Sequence, residues 1–169
     1  MFLAEGYHEH EFWFPYYRFR EEGADVIAAG MKRGMVQGEG NHGKDGLHAE
    51  ISHTITQVSN MNFDALFLPG GIYNNCSLRE YAPALSLIRK SIRNNIVIGA
   101  ICHGQWLLVS ADVIKGRRIS CSGDMADDVR NAGATFARKC VKDGNIVTAE
   151  YFDYLPELMR LLIPAISAR

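Results

Sequence analysis

Residues 96–110 read IVIGAICHGQWLLVS, an apolar run followed by a Cys-His-Gly step and a second apolar run. Ile96–Ala100 has the length and composition of a buried strand, and a helical pattern follows the step. The small residues Ala100 and Gly104 flank Cys102 at alternate positions, which lets the chain bend sharply and expose the central side chain. At a helix start, partial positive charge favours a thiolate. The stretch predicts a strand-to-helix elbow with Cys102 as nucleophile, and a buried, inert cysteine is the alternative.

The rest of the chain alternates strand-length and helix-length apolar patterns. Such alternation predicts an α/β sandwich whose mostly parallel sheet is covered on both faces. No repeat, linker or low-complexity tract divides the chain, so residues 1–169 are expected to form a single domain. The predicted strands are Asp25–Ala29, Asp64–Leu68, Ile96–Ala100, Arg118–Cys121 and a hairpin of Cys140–Asp143 with Asn145–Thr148, and the predicted helices are Glu11–Glu22, Leu78–Asn94, Met125–Ala132 and Leu155–Ile166.

The composition narrows the class of protein. Of the 169 residues, 47% are hydrophobic and 22% charged, and 18 Lys and Arg against 19 Asp and Glu leave a formal net charge of −1. This balance argues against a nucleic-acid or anionic-membrane partner, either of which favours a basic excess. The chain start shows neither the basic nor the apolar region of a signal peptide, so a cytoplasmic location is expected. The four cysteines lack CxxC spacing and are expected to be free thiols.

A second glycine-containing segment follows another predicted strand. Leu68-Pro69-Gly70-Gly71 lies at the carboxyl end of that strand, where open α/β sheets bind ligands. Two glycines there allow backbone amides to approach a substrate oxygen closely, as stabilisation of an oxyanion requires. Gly70 and Gly71 are therefore candidates to line a pocket at this edge and to supply backbone donors there, and a simple loop is the alternative.

Candidates for an acid or base are few. No histidine occurs after His103, so a triad with its histidine far downstream of the cysteine is excluded. His103 adjoins Cys102, and neighbouring side chains at an elbow are expected to diverge, so His103 is assigned an electrostatic role. A carboxylate from elsewhere is the better partner for the thiol. Glu11 follows a short first strand at the start of the chain, on a loop that should meet the same sheet edge; the alternative is a solvated or helix-starting glutamate.

Three further patterns are given structural interpretations. Gly38–Gly43 fits GxGxxG, but no hydrophobic helix follows it, so a mobile turn is expected rather than a dinucleotide site. The run His8–Glu11 resembles a metal-binding sequence, but no second ligand cluster follows, so neither a metal nor another cofactor is expected. The aromatic residues between Phe12 and Tyr17 are assigned to core or subunit-interface packing.

Taken together, the Leu68–Gly71 and Ala100–Gly104 motifs resemble those of the DJ-1/PfpI superfamily, in its PfpI-like branch. The resemblance covers nearly the whole chain, because Glu11 four residues before Pro15 and the Asp143-Gly144-Asn145 turn also match. It implies a flavodoxin-like sandwich, homodimers or larger oligomers, and no cofactor. It further implies Cys102 as nucleophile, Glu11 as proton donor and acceptor, and an oxyanion pocket formed by the backbone amides of Gly71 and His103.

Two departures from the family pattern concern the predicted pocket. Asn75 stands where the PfpI pattern often has a glutamate that reaches a neighbouring subunit's histidine, and an asparagine cannot compensate an imidazolium. Cys121 stands where relatives carry a pocket-facing Tyr or His. Asn75 and Cys121 are therefore both expected to line the pocket, and Cys121 is a candidate resolving thiol for an oxidised Cys102.

Three functions are consistent with these residues. The leading hypothesis is a cysteine-dependent enzyme that acts on small reactive carbonyls such as methylglyoxal or their adducts, because one thiol and one carboxylate suffice for that chemistry. The second is a PfpI-like amidase or peptidase in which His103 assists Cys102. The third is a redox-responsive or chaperone-like stress protein in which Cys102 is oxidised.

Overall fold

A computed structural model describes residues 1–40 and 46–168. Among these residues, no helix has the length and apolar character that crossing a membrane requires. The strands are β1 Ala29–Gly30, β2 Gly34–Gln37, β3 His48–Ile51, β4 His53–Thr54, β5 Ala65–Leu68, β6 Val97–Ile101, β7 Arg118–Ser120, β8 Thr135–Ala137, β9 Cys140–Asp143 and β10 Ile146–Ala149, and the helices are α1 Glu9–Glu21, α2 Ile55–Val58, α3 Ile72–Arg79, α4 Ala82–Arg93, α5 Gln105–Ser110, α6 Ala126–Asn131 and α7 Leu155–Ser167.

The central sheet has the order β5-β6-β10-β9, in which β9 alone is antiparallel to its neighbour. The start of the chain runs beside β5: the amide of Phe2 donates to the carbonyl of Phe67 at 3.0 Å, and that of Leu3 to Ala29 at 2.8 Å. In the parallel pair β5–β6, Leu68 lies opposite Ala100. The segments that follow β5 and β6 therefore leave the sheet side by side at the same edge.

Alternate residues of the central strands face two separate hydrophobic clusters. Ile98 and Ala100 pack in a cluster with residues of α4 and α5, whereas Val97 and Ile101 pack in a cluster with residues of α7. This alternation is the strand periodicity of two acting on a sheet covered on both faces. The predicted α/β sandwich with a mostly parallel sheet is confirmed.

Two predicted elements are wrong in their bounds. The predicted helix Leu78–Asn94 is two helices, α3 and α4, which meet at residues 80–81. Pro83 lies in the first turn of α4, the position that tolerates a residue without an amide hydrogen. The sequence pattern suggested one helix because the apolar residues on both sides of the break, such as Leu78 and Leu87, pack in the same hydrophobic cluster.

In place of the predicted strand Asp25–Ala29, the structure has the shorter strand β1, Ala29–Gly30. The preceding residues still lie beside the chain start, since the amino group of Met1 donates to the carbonyl of Ile27 at 2.7 Å. The remaining predicted elements are confirmed to within two residues at either end, including the hairpin of β9 and β10. Helix α1 begins at Glu9 and contains Pro15 in its interior, so Pro15 has no amide to donate to the carbonyl of Glu11 one turn earlier.

Candidate active site

Cys102 occupies a strained turn directly after β6. Its backbone is left-handed, with φ of 57°, and the turn continues as a short 3₁₀ segment, Cys102–Gly104, into α5. Non-glycine residues avoid this conformation, so the surrounding structure must hold it. Gly104 makes the turn possible, because a Cβ there would lie 2.3 Å from the carbonyl oxygen of Leu68. The predicted strand-to-helix elbow is present, with the Cys102 side chain at its apex.

A buried glutamine joins the elbow to the neighbouring strands. The Nε2 of Gln105 lies 2.7 Å from the carbonyl oxygen of Ser120, 2.9 Å from that of Ala149 and 3.3 Å from that of Ala100. These carbonyls belong to β7, β10 and β6, so one side chain ties three strand ends together beneath the nucleophile. Sequence reasoning missed this residue, because a polar position at a helix start is ordinarily solvated.

The Pro69-Gly70-Gly71 loop lies between Glu11 and Cys102. A Cβ on Gly70 would lie 1.9 Å from a carboxyl oxygen of Glu11 and 2.9 Å from the Cβ of Cys102, so only glycine fits there. Gly71 has φ of 94° and caps the start of α3. The carboxyl ends of β5 and β6 thus bring the two predicted motifs together, as their parallel pairing requires.

Asn75 does not line the pocket as predicted. It is fully buried, and its Nδ2 donates to the carbonyls of Pro69 at 3.0 Å and Gly71 at 2.8 Å. Its neighbour Asn74 is also buried and receives a hydrogen bond from the amide of Ala4 at 2.7 Å. The Nδ2 of Asn74 also donates to the carbonyls of Pro69 at 3.4 Å and Gly70 at 3.3 Å, so both buried side chains hold the glycine loop in place.

Glu11 lies in the first turn of α1, fully buried, rather than on a loop. Neither carboxyl oxygen has a partner of regular hydrogen-bond geometry among the described residues, although the Gly70 amide and the Cys102 thiol lie close enough to favour its ionised form. Burial outweighs both contacts and, with the negative charge of Glu39, raises the pKa of Glu11 to about 8. Glu11 therefore carries a proton at neutral pH.

The expected thiolate at Cys102 is not the resting state that the structure favours. Burial raises the pKa of the Cys102 thiol, and an ionised Glu11 would raise it further, whereas the amide of His103 acts in the opposite direction. The partial positive charge of a helix N-terminus, which would favour the thiolate, is weak here. Only a 3₁₀ turn and the six residues of α5 follow the cysteine, so few peptide dipoles are aligned. The thiol thus needs a proton acceptor when it attacks.

His103 supplies a nitrogen at the right place, contrary to the expectation that its side chain diverges from Cys102. Its Nδ1 lies 3.2 Å from the Sγ of Cys102, and its Nε2 lies 3.0 Å from a carboxylate oxygen of Asp124. The ring also packs against Trp106, with 4.7 Å between centroids. Sequence reasoning missed Asp124, which follows β7 and has no local motif around it.

A further acid lies close enough to Glu11 and Cys102 for its charge to act on both, and a set of stacked rings lies beside it. Glu39 is half-buried; burial and the charge of Glu9 raise its pKa, while the Ile72 amide and His103 lower it. It faces the Nε2 of His8 at 3.9 Å. The rings of His8 and His10 both stack on Phe152, at centroid distances of 5.2 and 5.5 Å.

The side chains of the candidate metal sequence His8–Glu11 point to different partners. The two histidines stack on Phe152, and Glu9 accepts the amide of Gly40 at 2.9 Å. Among the described residues, no three His, Cys, Asp or Glu side chains cluster as metal ligands. Part of the glycine-rich Gly38–Gly43 segment lies outside the described residues, so its expected mobile turn stays a prediction.

Cys121 does not occupy the pocket wall. It is fully buried in the hydrophobic cluster that includes Ile119 and Met125, whereas Cys102 belongs to the cluster on the other face of the sheet. All four cysteines are free, with Cys76 exposed and Cys140 half-buried. Cys121 is therefore core packing, and Cys102 is the cysteine that contacts both a buried acid and a histidine.

The fold and this site together define a class: an α/β protein with a parallel sheet and a cysteine elbow that faces a buried glutamate. The sequence profile of the DJ-1/PfpI family matches residues 1–165. The chain belongs to the DJ-1/PfpI family, and the predicted family is confirmed.

Relatives of known class agree with this assignment. Deglycase TK1284 of Thermococcus kodakarensis is 32% identical over 164 residues, which cover 94% of this chain and 95% of the relative. Protein/nucleic acid deglycase 2 of Escherichia coli is 34% identical over 167 residues, covering 95% and 94%. The prediction of a DJ-1/PfpI-type enzyme is thereby confirmed, and both of these relatives are named deglycases.

A solved structure confirms the fold independently. The ThiJ/PfpI domain protein from Brachyspira murdochii superposes with a TM-score of 0.90 at 19% identity, covering 99% of this chain and 94% of that one. At this identity the likeness concerns the fold alone. The flavodoxin-like sandwich that the sequence predicted is thus confirmed.

Proposed function

We propose that this chain is a cofactor-independent, cysteine-dependent enzyme that acts on small reactive carbonyls or their adducts, as a glyoxalase or deglycase does. The observation that carries the proposal is the pairing of Cys102, at a strained elbow, with the buried and protonated carboxyl of Glu11. A carboxyl whose pKa lies near the working pH can both give and take a proton, which is the requirement for general acid–base catalysis. The deglycase names of the two relatives support the same class.

The first step forms a bond between sulfur and the aldehyde carbon of a ketoaldehyde. The thiol proton passes to the carbonyl oxygen, which gives a hemithioacetal. The backbone amides of Gly71 and His103 would stabilise the oxygen while it carries negative charge. Where the aldehyde is already bound to an amine, the amine leaves as the S–C bond forms; Glu11 gives its proton to the leaving amine and receives the thiol proton in its place.

The second step is an internal redox isomerisation. Glu11 gives its proton to the ketone oxygen as it takes the proton from the former aldehyde carbon, which gives an enediol. It then gives that proton to the adjacent carbon as it takes the hydroxyl proton of the former aldehyde carbon. The aldehyde carbon is oxidised to a thioester while the ketone carbon is reduced to an alcohol. Water then hydrolyses the thioester, which releases a hydroxy acid and restores the Cys102 thiol. The balance needs only water, so the proposal requires neither a metal nor a redox cofactor.

The test is the rate at which purified protein consumes methylglyoxal and forms lactate. Cys102→Ala is expected to reduce the rate to the uncatalysed background, and Glu11→Gln to lower it by roughly 10²–10⁴-fold, the usual contribution of a general acid–base group. Cys140→Ala is the matched control, because Cys140 is a half-buried strand cysteine, and it should retain the wild-type rate. Equal rates for wild type and Cys102→Ala would refute the proposal.

An amidase or peptidase is the second candidate function, because His103 lies between Cys102 and an acid. Hydrolysis of an amide needs a group that protonates the leaving amine, and a histidine in contact with the thiol can do so. Small amide and peptide reporters distinguish the two functions. Their hydrolysis, lost in His103→Ala, would favour the amidase, while turnover of methylglyoxal alone favours the carbonyl enzyme.

We also propose a cellular location and an oligomeric state for this protein. A nucleophilic cysteine must stay reduced, so we propose a reducing compartment, the cytoplasm. The formal net charge of −1 gives no support for a nucleic-acid partner. A homodimer or larger homo-oligomer is proposed from the aromatic side chains that α1 leaves exposed, Phe14 and Tyr17.

A further inference from the structure

Three successive carbonyls of the glycine loop accept hydrogen bonds from two adjacent side chains of α3, Asn74 and Asn75, the asparagine pair. The Nδ2 of Asn74 lies 3.4 Å from the carbonyl oxygen of Pro69 and 3.3 Å from that of Gly70. The Nδ2 of Asn75 lies 3.0 Å from the carbonyl oxygen of Pro69 and 2.8 Å from that of Gly71. Both side chains are fully buried, so the directions of all three loop carbonyls are fixed from one side.

A fixed carbonyl also fixes the amide of the same peptide group. None of the described peptide bonds is cis, and in a trans peptide the C=O and the N–H point in opposite directions. The carbonyl of Gly70 is turned toward Asn74 and toward the amide of His8, which donates to it at 3.3 Å. The amide hydrogen of Gly71, in the same peptide group, therefore points away from both donors. We infer that the asparagine pair positions this amide: it holds the Gly71 N–H toward the oxygen of a substrate bound to Cys102.

The amides before and after that of Gly71 each lie near an acid. The amide of Gly70 is close enough to the carboxyl of Glu11 to favour its ionised form. The amide of Ile72 acts in the same way on the carboxyl of Glu39. Among the residues that the structure describes, no acceptor is recorded for the Gly71 amide between them. Successive amides turned to one side of a loop bind anions, so the Gly71 amide is the one left for a substrate oxygen.

The partners of Asn74 determine which end of its side chain is the donor. Its Oδ1 accepts the amide of Ala4 at 2.7 Å, and its Nδ2 faces carbonyl oxygens alone. A backbone amide only donates and a carbonyl only accepts, so the opposite orientation would leave every contact unpaired. Asn74 thus joins the start of the chain to the glycine loop through both ends of one side-chain amide. A residue without that N–H would release the Gly70 carbonyl on this side.

The inference deepens the proposed function and rests on it in taking Cys102 as the nucleophile. As the sulfur electron pair forms the S–C bond, the carbonyl electron pair of the substrate moves to its oxygen. A donor that already points at this oxygen stabilises the negative charge without any reorganisation of the loop. None of the recorded contacts of the asparagine pair is with the Cys102 sulfur. Loss of the pair should therefore slow reactions that pass through an oxyanion and spare those that do not.

Two reactions of the same thiol separate this role from a general loss of structure. Acylation by p-nitrophenyl acetate forms a tetrahedral oxyanion before p-nitrophenolate leaves, whereas alkylation by iodoacetamide displaces iodide directly and forms no oxyanion. In both reactions the thiol proton passes to the buffer. Both rates are followed on the Cys102 peptide by mass spectrometry. Asn74→Ala and Asn75→Leu are expected to slow acylation roughly tenfold, less than the roughly 10²–10³-fold cost of removing an oxyanion donor outright, and to leave alkylation unchanged.

Asn60→Ala is the matched control. Asn60 is exposed, and its Nδ2 also donates to a backbone carbonyl, that of Thr56 at 3.4 Å, so the variant loses the same kind of bond away from the loop. It should change neither rate. Asn75→Leu keeps the approximate volume of the side chain, which separates the loss of a donor from the loss of packing. Unchanged acylation in the asparagine-pair variants would overturn the inference, and so would equal slowing of both reactions, which would assign the pair to stability alone.

A measurement on the wild type does not depend on whether a variant folds. Propionaldehyde can add to Cys102 but has no adjacent carbonyl group with which to isomerise. In protein labelled with ¹⁵N-glycine, the amide proton of Gly71 should move downfield as this adduct forms, since it then donates to the adduct oxygen. An unchanged Gly71 signal in the presence of the adduct would overturn the inference. None of these readouts needs methylglyoxal turnover, so absent turnover together with the expected acylation result would refute the proposed function alone.

Discussion

Cys102 and Glu11 are two acids that the fold buries against each other. Water solvates neither group, so each favours its neutral, protonated form, and the pKa of Glu11 rises to about 8. A solvated glutamate would be ionised throughout the physiological range and would oppose ionisation of the thiol. The buried pair instead keeps its protons in place until a substrate provides an oxygen or a carbon that can accept them.

This arrangement predicts that Glu11→Gln stabilises the protein at high pH. Because the pKa of Glu11 is raised from 4.5 to about 8 in the folded state, its contribution to stability is fully present below pH 4.5 and is lost as the pH rises through about 8. Glutamine does not titrate. The free energy of unfolding of the variant, relative to that of the wild type, should therefore rise across that range by a few kcal/mol, at about 1.4 kcal/mol per pKa unit.

Urea unfolding of both proteins at about pH 5 and about pH 9 measures this difference. Glu50→Gln is the control, because Glu50 is exposed on β3, and its effect should be the same at both pH values. A difference between Glu11→Gln and wild type that does not change with pH would show that Glu11 is ionised in the folded protein across that range.

The sequence identifies some of these residues and not others, for a physical reason. Cys102 and Gly70 can be recognised because each lies in a short motif directly after a predicted strand. Asp124 lies 21 positions from His103, and no local pattern requires an acid there. The rotamer of His103 depends on Trp106 and Asp124 together, which neighbouring sequence alone does not reveal. Cys121 was misplaced because a small apolar thiol fits a pocket wall and a core equally well.

At the scale of elements, the site is the junction of the two loops that leave β5 and β6. Their parallel pairing places Leu68 beside Ala100, so the glycine loop and the elbow meet as a direct result of the strand register. The amides of Asn74 and Asn75 then hold the loop. Sequence patterns predict such a junction well, because the ends of the strands and the positions of the glycines can both be read from the sequence. They predict helix ends poorly, as the break between α3 and α4 shows.

Gly70→Ala is expected to abolish activity while leaving a folded protein. The added methyl group would overlap a Glu11 oxygen at 1.9 Å and approach the Cβ of Cys102 to 2.9 Å, so it must separate the acid from the thiol. Methylglyoxal turnover and thermal unfolding measure the two effects. Gly116→Ala is the comparison, since Gly116 has φ of 76° but nothing within 4 Å of an added Cβ.

Gly116→Ala should lose about 1 kcal/mol of stability through backbone strain and keep its activity. Gly70→Ala should lose activity by at least about 10²-fold, the scale expected when a catalytic group is displaced. Wild-type activity in Gly70→Ala would show that Glu11 and Cys102 need not be in contact.

At the scale of the whole molecule, the α/β sandwich could be predicted because its strands face two hydrophobic clusters and its helices cover both. The position of the chain start could not be predicted from the sequence. Met1–Leu3 is too short for a periodic pattern, yet it lies between β5 and the segment around Ala29. The position of this segment is determined by hydrogen bonds to segments distant in the sequence rather than by its own composition.

The exposed side of α1 predicts self-association. Tyr17 is 59% exposed and Phe14 is 38% exposed. Replacing Tyr17 with lysine should shift the mass measured by light scattering toward the monomer, because a charge would then have to be buried at the contact. Glu80→Lys adds the same positive side chain elsewhere on the surface and should leave the mass unchanged. A monomeric wild type would contradict the proposed oligomer.

The central claim, that Cys102 forms the covalent bond and Glu11 moves the protons, is tested most directly by quenching the enzyme during methylglyoxal turnover and locating the adduct by peptide mass spectrometry. We expect an adduct on Cys102 that accumulates in Glu11→Gln, since addition to the carbonyl proceeds there while the isomerisation that releases the product is slowed. An adduct that forms only on the exposed Cys76, or undiminished turnover in Glu11→Gln with no adduct on Cys102, would contradict it.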